Sequence, residues 1–245
     1  MPRLRTYRAL CRQEDLIHFR VVVKETDLDV GVRRDRFTPD LVEWTLGLTR
    51  ECRAALEAYI ARHPAFLTSL EPLDVWPDAP PLALEMARAA RLAGVGPMAA
   101  VAGAIAEHVG RALLRRSRDV IVENGGDIFL RSTRRRYVGV FAGDSPFSHR
   151  LALEVPPDLT PLGICTSSGT VGHSLSFGSA DAVVILASGA ALADAVATAA
   201  ANLVRDAADL ERAVNFAMGI GGVVGAVAIR GERLAARGRV KLVPA

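Results

Sequence analysis

Two alanine-rich stretches, at residues 97–116 and 190–204, most constrain the fold of this 245-residue chain. Apolar residues recur in both with the spacing of a helix, and Pro97 is a typical first residue of one of them. Half of the chain is hydrophobic, but only 5% of it is aromatic. Because such small side chains let backbones approach closely, the sequence predicts alanine-rich helices packed tightly against their neighbours.

Strand-like segments surround these two helices. The predicted strands are residues 16–23, 28–32, 120–130, 137–141, 151–155, 182–187, 223–229 and 240–243. The other predicted helices are residues 40–60, 82–93 and 210–218. Several strands come in neighbouring pairs, and helices do not alternate strictly with strands. The pattern therefore favours an α+β fold with antiparallel sheets over a doubly wound parallel sheet.

The length and hydrophobic content allow one domain over residues 1–245, with two intertwined lobes as an alternative. Residues 64–81 contain five prolines and predict an irregular connection. This connection is either a linker between lobes or a loop over a site.

Charge and cysteine usage exclude several function classes. The net charge is +3, and its densest cluster, residues 134–136, predicts a solvated hairpin turn, with a phosphate contact as the alternative. No aromatic-rich basic face accompanies this cluster, so we expect no nucleic-acid partner. Three scattered cysteines without CxxC spacing predict neither a disulfide framework nor a zinc site. No secretion signal and no membrane-spanning apolar run is recognisable, so we expect a cytoplasmic protein without a membrane partner.

A glycine-rich break precedes the first alanine-rich helix. Gly94, Gly96 and Ala99 match a loose dinucleotide-binding pattern, but the residues before them are predicted to be helical, which excludes a Rossmann motif. Glycine-rich backbone that leads into a helix N-terminus can receive an anion, which makes Gly96 a candidate for phosphate contact. The alternative is a tight turn between two packed helices.

Asn124, Gly125, Gly126 and Asp127 lie between two apolar stretches. Two glycines let the backbone bend sharply or come close to a ligand, and the acid that follows them is presented at the same place. Asn-Gly is also a strong signal for a hairpin turn. A ligand contact and a plain hairpin both remain open for this segment.

A hydroxyl-rich segment follows further along the chain. Thr166, Ser167, Ser168 and Gly169 predict a loop whose hydroxyls and amides suit phosphate or pyrophosphate oxygens. His173 comes shortly after and is a candidate general base, since its charge changes near neutral pH. The alternative is a polar surface loop.

Asp194 and Thr198 lie four residues apart on the second alanine-rich helix and therefore share one face of it. A carboxylate on an otherwise apolar helix is costly without a partner. A carboxylate and a hydroxyl on one turn suit a hard cation such as Mg²⁺. The alternative is an Asp favoured by the helix dipole, with the Thr hydroxyl bonded to its own backbone.

Three of these elements occur in the order typical of the ApbE-type superfamily, the FMN:protein transferases, and the chain resembles that superfamily. Residues 124–127 resemble its Gly-Gly-Asp strand motif, and residues 166–169 resemble its Thr-Ser-Gly loop. Residues 193–198, Ala-Asp-Ala-Val-Ala-Thr, resemble its Ala-Asp-Ala-x-Ala-Thr helix, which is the most specific of the three. Residues 94–99 are similar to those of a shorter branch of the superfamily.

The resemblance implies an ApbE-like fold related to the T-fold group, FAD as substrate and Mg²⁺ as cofactor. It implies cleavage of FAD with transfer of FMN to a threonine of an acceptor protein, or to water, and release of AMP. Asp194 and Thr198 would then be the metal ligands, and the glycines and hydroxyls named above would lie against the nucleotide. His173 or Asp127 would accept the proton of the attacking hydroxyl.

The chain departs from the superfamily pattern between the hydroxyl-rich loop and the metal-binding helix. The stretch from residue 170 to 179 is shorter than in the transferases and lacks their Asp-Pro pair. We therefore keep three alternatives: a non-catalytic flavin or nucleotide-binding protein, a different small-metabolite enzyme on the same scaffold, and a scaffold subunit. A second copy of the chain, in a homo-oligomer, is left open as a partner.

Overall fold

The computed structural model describes residues 13–169 and 178–245. Its strands are β1 (Leu16–Val23), β2 (Thr26–Arg33), β3 (Val120–Asn124), β4 (Asp127–Arg131), β5 (Arg136–Gly139), β6 (Leu151–Val155), β7 (Leu162–Ser167), β8 (Ala182–Ala187), β9 (Val223–Arg230), β10 (Arg233–Gly238) and β11 (Leu242–Pro244). Its α-helices are α1 (Pro39–Arg62), α2 (Ala65–Thr68), α3 (Pro81–Ala93), α4 (Val101–Leu113), α5 (Ala190–Asn202) and α6 (Leu210–Met218).

A large antiparallel sheet forms the centre of the molecule. Its eight strands lie in the order β1-β2-β3-β4-β7-β8-β9-β10, and a smaller sheet has the order β11-β6-β5. In β8, Val183 and Ile185 pack with the helices, whereas Val184 and Leu186 pack with the small sheet. Since successive side chains of a strand point to opposite faces, these contacts show that β8 is buried on both faces of the sheet. This explains why its sequence is continuously apolar.

The prediction of an α+β fold with antiparallel sheets and alanine-rich helices is confirmed. Two details refine this prediction. Residues 120–130, predicted as one strand, form two strands joined by a turn, which agrees with the hairpin alternative for Asn124-Gly125. The first alanine-rich helix begins with a 3-10 turn at Pro97–Ala100 before α4 starts.

The hydroxyl-rich segment is not a loop over its whole length, which corrects that prediction. Residues Leu162–Ser167 form β7, which pairs with β4 on one side and β8 on the other. Leu162, Ile164 and Cys165 are fully buried and hold this strand in the sheet. Thr166 and Ser167 continue it because their backbone groups pair with β8. The hydroxyl groups of these residues made the sequence look like that of a polar loop. Pairing of their backbone groups with β8 places them in a strand instead. Strand β10 was not predicted either.

The proline-rich connection packs against the helices. Phe66 on α2 is fully buried, and the His63 ring stacks on Trp76 with their centroids 4.6 Å apart. Gly96 lies against the backbone of Ser69, where a Cβ atom would come within 1.8 Å of the Ser69 carbonyl oxygen.

Within residues 13–169 and 178–245, no single helix is long and apolar enough to cross a membrane. Helices Pro81–Ala93 and Pro97–Leu113 meet the length and composition requirements only as a pair, and they are bent by 104° at the break between them.

The prediction of a solvated arginine turn at residues 134–136 is wrong for Arg136, which is only 2% exposed. Its guanidinium donates to both carboxylate oxygens of Asp15, at 2.6 and 2.9 Å, and to the Ser132 hydroxyl at 2.7 Å. The buried carboxylate of Asp119 lies 3.6 Å away. The hydrogen bond from Arg136 lowers the pKa of the Asp15 carboxyl. Two carboxylates that are distant in sequence therefore make burial of this arginine acceptable.

Replacement of Arg136 by alanine is expected to lower the free energy of unfolding by about 3–5 kcal/mol, because it leaves the Asp119 carboxylate buried with less compensation. Urea titration followed by circular dichroism measures this loss. Arg134, whose side chain is 69% exposed beside the same Asp15, provides the control. Its alanine variant is expected to lose less than about 1 kcal/mol. Equal losses in the two variants would contradict a buried ion network at Arg136.

Candidate functional site

The β3–β4 hairpin brings Asn124 and Asp127 to the helix-covered face of the large sheet. The two residues are directly paired across the hairpin. Gly125 and Gly126 have φ angles of 72° and 109°, a conformation that glycine adopts without strain. The Gly126 amide donates to the Glu123 carboxylate at 2.7 Å, so this amide already has a partner inside the protein. Glu123 was not predicted as part of the site, and its position next to the motif is the only sequence signal for it.

Helices α4 and α5 cross in direct backbone contact next to this hairpin. A Cβ atom on Gly103 would lie 2.2 Å from the Ala190 carbonyl oxygen, so only glycine fits at this crossing. The first amides of a helix have no partner within the helix. Here the Gly103 amide donates to the Asp194 carboxylate at 2.9 Å, and the Ala191 amide donates to the Glu107 carboxylate at 3.2 Å. Each helix thus places a carboxylate on the N-terminus of the other, where the helix dipole favours negative charge.

Asp194 lies beside a second acidic group. It keeps partial solvent exposure, but the protein packed around its carboxyl raises its pKa well above the usual range, and the charge of Asp127 raises it further. Hydrogen bonds from the backbone of Gly103 and Ala102 act in the opposite direction. The sequence predicted Asp127 and Asp194 as separate candidates, and the fold brings them together.

Cys165 lies at the same place, although the sequence did not predict it as part of the site. Continuing the pairing of β4 with β7 places it opposite Asp127, and its thiol donates to the Ala190 carbonyl at 3.3 Å. Burial, followed by the charges of Asp127 and Asp194, raises the pKa of this thiol well above its ordinary value. The thiol is therefore protonated at neutral pH, which makes it a poor nucleophile.

Thr198 follows Asp194 by one turn of α5 and is partly exposed. Thr45 and Thr49 on α1 donate their hydroxyls to the carbonyls four residues earlier, at 2.7 and 2.8 Å. Over residues 13–169 and 178–245, no such bond from the Thr198 hydroxyl is found. The alternative in which Thr198 bonds to its own backbone is therefore not what the described part of the chain shows.

Strand alternation separates the predicted hydroxyl-bearing residues. Ser167 shares the helix-covered face of β7 with Cys165, and its buried hydroxyl has no hydrogen bond within the described parts of the chain. Thr166 points to the opposite face. Ser168 is partly exposed, and the amide of the exposed Gly169 donates to the Ala180 carbonyl at 2.9 Å. These four residues therefore do not all face the same site.

Two other predicted site residues lie outside this cluster of contacts. Gly96 caps the 3-10 turn before α4 and packs on Ser69, as expected for a tight turn between packed helices. The space on the Cβ side of Gly96 is filled by the backbone of Ser69 and Leu70. His173 lies outside the described residues.

The donor set formed by Asp194, Thr198 and the neighbouring Asp127 suits a magnesium ion. All three side chains offer oxygen, the ligand type that Mg²⁺ prefers, and two neighbouring carboxylates carry charge that a divalent cation offsets. Across the described residues, no group of three or more His, Cys, Asp or Glu side chains is arranged to hold a metal.

An open cleft of about 460 Å³ lies at the opposite end of β2 and β3, lined by Asp15, Arg33, Arg34, Asp35, Asp119 and Arg134. Arg33 already pairs with Asp35, and Arg134 lies 3.7 Å from Asp15. The charged side chains that line this cleft are therefore already partly paired with one another.

The Gly103→Ala variant is expected to lose about 1–3 kcal/mol of unfolding free energy, because its Cβ meets the backbone of α5 and cannot be accommodated by a rotamer change. Gly47 on α1 is the matched control, since nothing lies within 4 Å of its Cβ position. Gly47→Ala is expected to gain about 0.5–1 kcal/mol. Thermal unfolding of both variants measures the difference, and a Gly103→Ala variant as stable as wild type would show that α4 and α5 cross less closely.

Comparisons with known proteins agree with this fold. A family model described as AbpE bacteria matches residues 8–218. The UPF0280 protein of Methanococcus aeolicus is 39% identical over 230 residues, which cover 92% of this chain and 91% of that protein. The UPF0280 protein of Methanopyrus kandleri is 43% identical over 226 residues, 90% of each chain.

The fold is also that of a solved flavinyl transferase. The apo form of ApbE from Pseudomonas stutzeri matches with a TM-score of 0.54 at 15% identity, and the match covers 91% of this chain and 94% of that one. This likeness shows the fold alone. Together with the family match, it confirms what the three sequence motifs indicated: the chain belongs to the AbpE bacteria family and is a member of the ApbE-like superfamily.

Proposed function

We propose that the protein binds FAD with Mg²⁺ at the junction of α4, α5 and the β3–β4 hairpin, and that it cleaves the FAD pyrophosphate. FMN is delivered to a threonine of an acceptor protein or to water, and AMP is released. The observation that carries the proposal is the convergence of Asp127 and Asp194, whose charges influence each other although they come from separate motifs. The flavin-transferase-type fold supports it.

Asp194 and Thr198 would hold the metal, and the charge of Asp127 acts on Asp194. Bound Mg²⁺ would supply positive charge to the pyrophosphate oxygens. The bond from Gly103 uses Oδ2 of Asp194 and fixes the orientation of the carboxylate. A carboxylate held on a helix N-terminus does not have to reorganise when the metal and substrate arrive.

The proposed reaction is a substitution at phosphorus. The acceptor hydroxyl oxygen forms a bond to the phosphorus of the FMN half, and the bond from that phosphorus to the bridging oxygen breaks. The bridging oxygen leaves with AMP, and the hydroxyl proton passes to Asp127 or His173. Asp127 is a buried carboxylate on the helix-covered face, beside Asp194. The neutral Cys165 thiol next to it does not compete as acceptor.

A non-catalytic flavin-binding protein is the second candidate. The short stretch from residue 170 to 179, without the Asp-Pro pair of the transferases, favours it. Tight FAD binding without AMP release would distinguish this candidate from the enzyme.

Removal of the metal ligands is expected to stop AMP release. With FAD and Mg²⁺, Asp194→Asn and Thr198→Val are each expected to release AMP about 10- to 100-fold more slowly than wild type, because coordination weakens. Thr198→Ser keeps the hydroxyl and is expected to retain most of the activity. Chromatography separates AMP from FMN, and protein-bound flavin marks transfer rather than hydrolysis. Unchanged turnover in Asp194→Asn would overturn the assignment.

Asp127 is expected to act in proton transfer and not in flavin binding. Asp127→Asn keeps the size of the side chain and is expected to slow AMP release on the order of 10²–10⁴-fold, with the dissociation constant for FAD changed only slightly. Fluorescence quenching of the flavin measures binding, and single-turnover AMP release measures the chemical step. A large loss of FAD affinity with an unchanged single-turnover rate would contradict this role.

A further inference from the structure

The peptide group that joins Ala102 to Gly103 is hydrogen-bonded on both of its sides. The Asn124 side-chain amide donates to the Ala102 carbonyl oxygen at 3.1 Å. The Gly103 amide, in the same planar group, donates to Asp194 Oδ2 at 2.9 Å. A line of hydrogen bonds therefore runs from the β3–β4 hairpin, through one peptide of α4, to the carboxylate on α5.

The chemistry of this line strengthens the bond to Asp194. A donor on a carbonyl oxygen polarises the peptide group and makes its N–H a better donor. The acceptor at the other end is Oδ2 of the Asp194 carboxyl group, which the Gly103 amide contacts at 2.9 Å. Asn124 is only 6% exposed, so its bond to Ala102 is shielded from competing water.

Asn124, where this line of hydrogen bonds begins, lies on a rigid element. Asn124 is the last residue of β3, which is paired with β2 on one side and β4 on the other. A group on a central strand is held more firmly than one on a loop. A hydrogen bond thereby joins the hairpin to the first turn of α4, and the Gly103 amide of that turn contacts the Asp194 carboxylate.

We propose that Asn124 is a positioning residue, which aligns the Asp194 carboxylate through the Ala102–Gly103 peptide. This differs from the nucleotide contact that the sequence predicts for Asn124. Its consequence for Mg²⁺ rests on the proposed function. The placement of the carboxylate does not, since it is a property of the metal-free protein.

The chain contains a matched control at the same helix crossing. Glu107 is 1% exposed and accepts a hydrogen bond from the Ala191 amide of α5. This contact is equivalent to the one between Asp194 and the Gly103 amide of α4. Its other oxygen accepts from Arg111 Nε at 2.7 Å. Glu107→Gln weakens the contact between the same two helices but leaves the donors to Asp194 in place. It therefore separates general loosening of the crossing from misalignment of Asp194.

The test uses full-length Asn124→Leu, Asn124→Ala and Glu107→Gln variants. The first measurement is hydrogen exchange of the Gly103 amide in the metal-free protein by NMR. Both Asn124 variants are expected to exchange roughly tenfold faster than wild type, which corresponds to the loss of about one hydrogen bond. The second is Mg²⁺ affinity by calorimetry, expected to fall about tenfold, as is usual when a residue that supports a metal ligand is removed. Glu107→Gln is expected to match wild type in both measurements.

The outcomes separate this inference from the proposed function. An unchanged Gly103 exchange rate in Asn124→Leu and Asn124→Ala would overturn the positioning role, and so would equal effects in Glu107→Gln. If wild-type protein binds no Mg²⁺, the proposed function fails, and the Gly103 exchange rate alone decides whether Asn124 positions Asp194. If only one Asn124 variant folds, that variant gives the result.

Discussion

The close crossing of α4 and α5 is the contact on which the candidate site depends. Gly103 lets the two backbones touch. Asp194 of α5 then accepts a hydrogen bond from the N-terminal turn of α4, and Glu107 of α4 accepts one from the N-terminal turn of α5. A larger residue at position 103 would separate the amide from its acceptor. The alanine-rich composition of both helices follows from the same requirement, because small side chains are needed wherever two backbones approach this closely.

The large sheet decides which side chains reach that crossing. Both of its faces are buried, so residues of odd and even register belong to different layers. Asp127, Cys165 and Ser167 point towards the helices, whereas Thr166 lies on the other face. The turn at Gly125 and Gly126 lies near the first turn of α4. For this reason Asp127, which follows the turn, lies beside the carboxylate of Asp194 on α5.

Burial of its carboxyl raises the pKa of Asp194 well above its usual range, and the nearby charge of Asp127 raises it further. A core selected only for stability would avoid this arrangement, since buried like charges are unfavourable. Groups with strongly shifted pKa values gather at functional sites for this physical reason. A divalent cation between phosphate and carboxylate oxygens offsets the repulsion, and this connects the electrostatics of the site with the flavin-nucleotide chemistry proposed for it.

The sequence by itself determined the local elements and the family. Helical spacing in residues 190–204 and the glycines at 125 and 126 act through short-range geometry, which does not need the rest of the chain. Only the tertiary structure decided that residues 162–167 form a strand, that Arg136 is buried, and that the Asn124 side chain donates to the Ala102 carbonyl of α4. These outcomes depend on partners distant in the chain: β4 and β8 for the strand, Asp15 and Asp119 for the arginine, and Ala102 for the asparagine. Burial and pairing with such partners override the polarity that a side chain shows in the sequence, because a hydrogen bond or ion pair makes its burial acceptable.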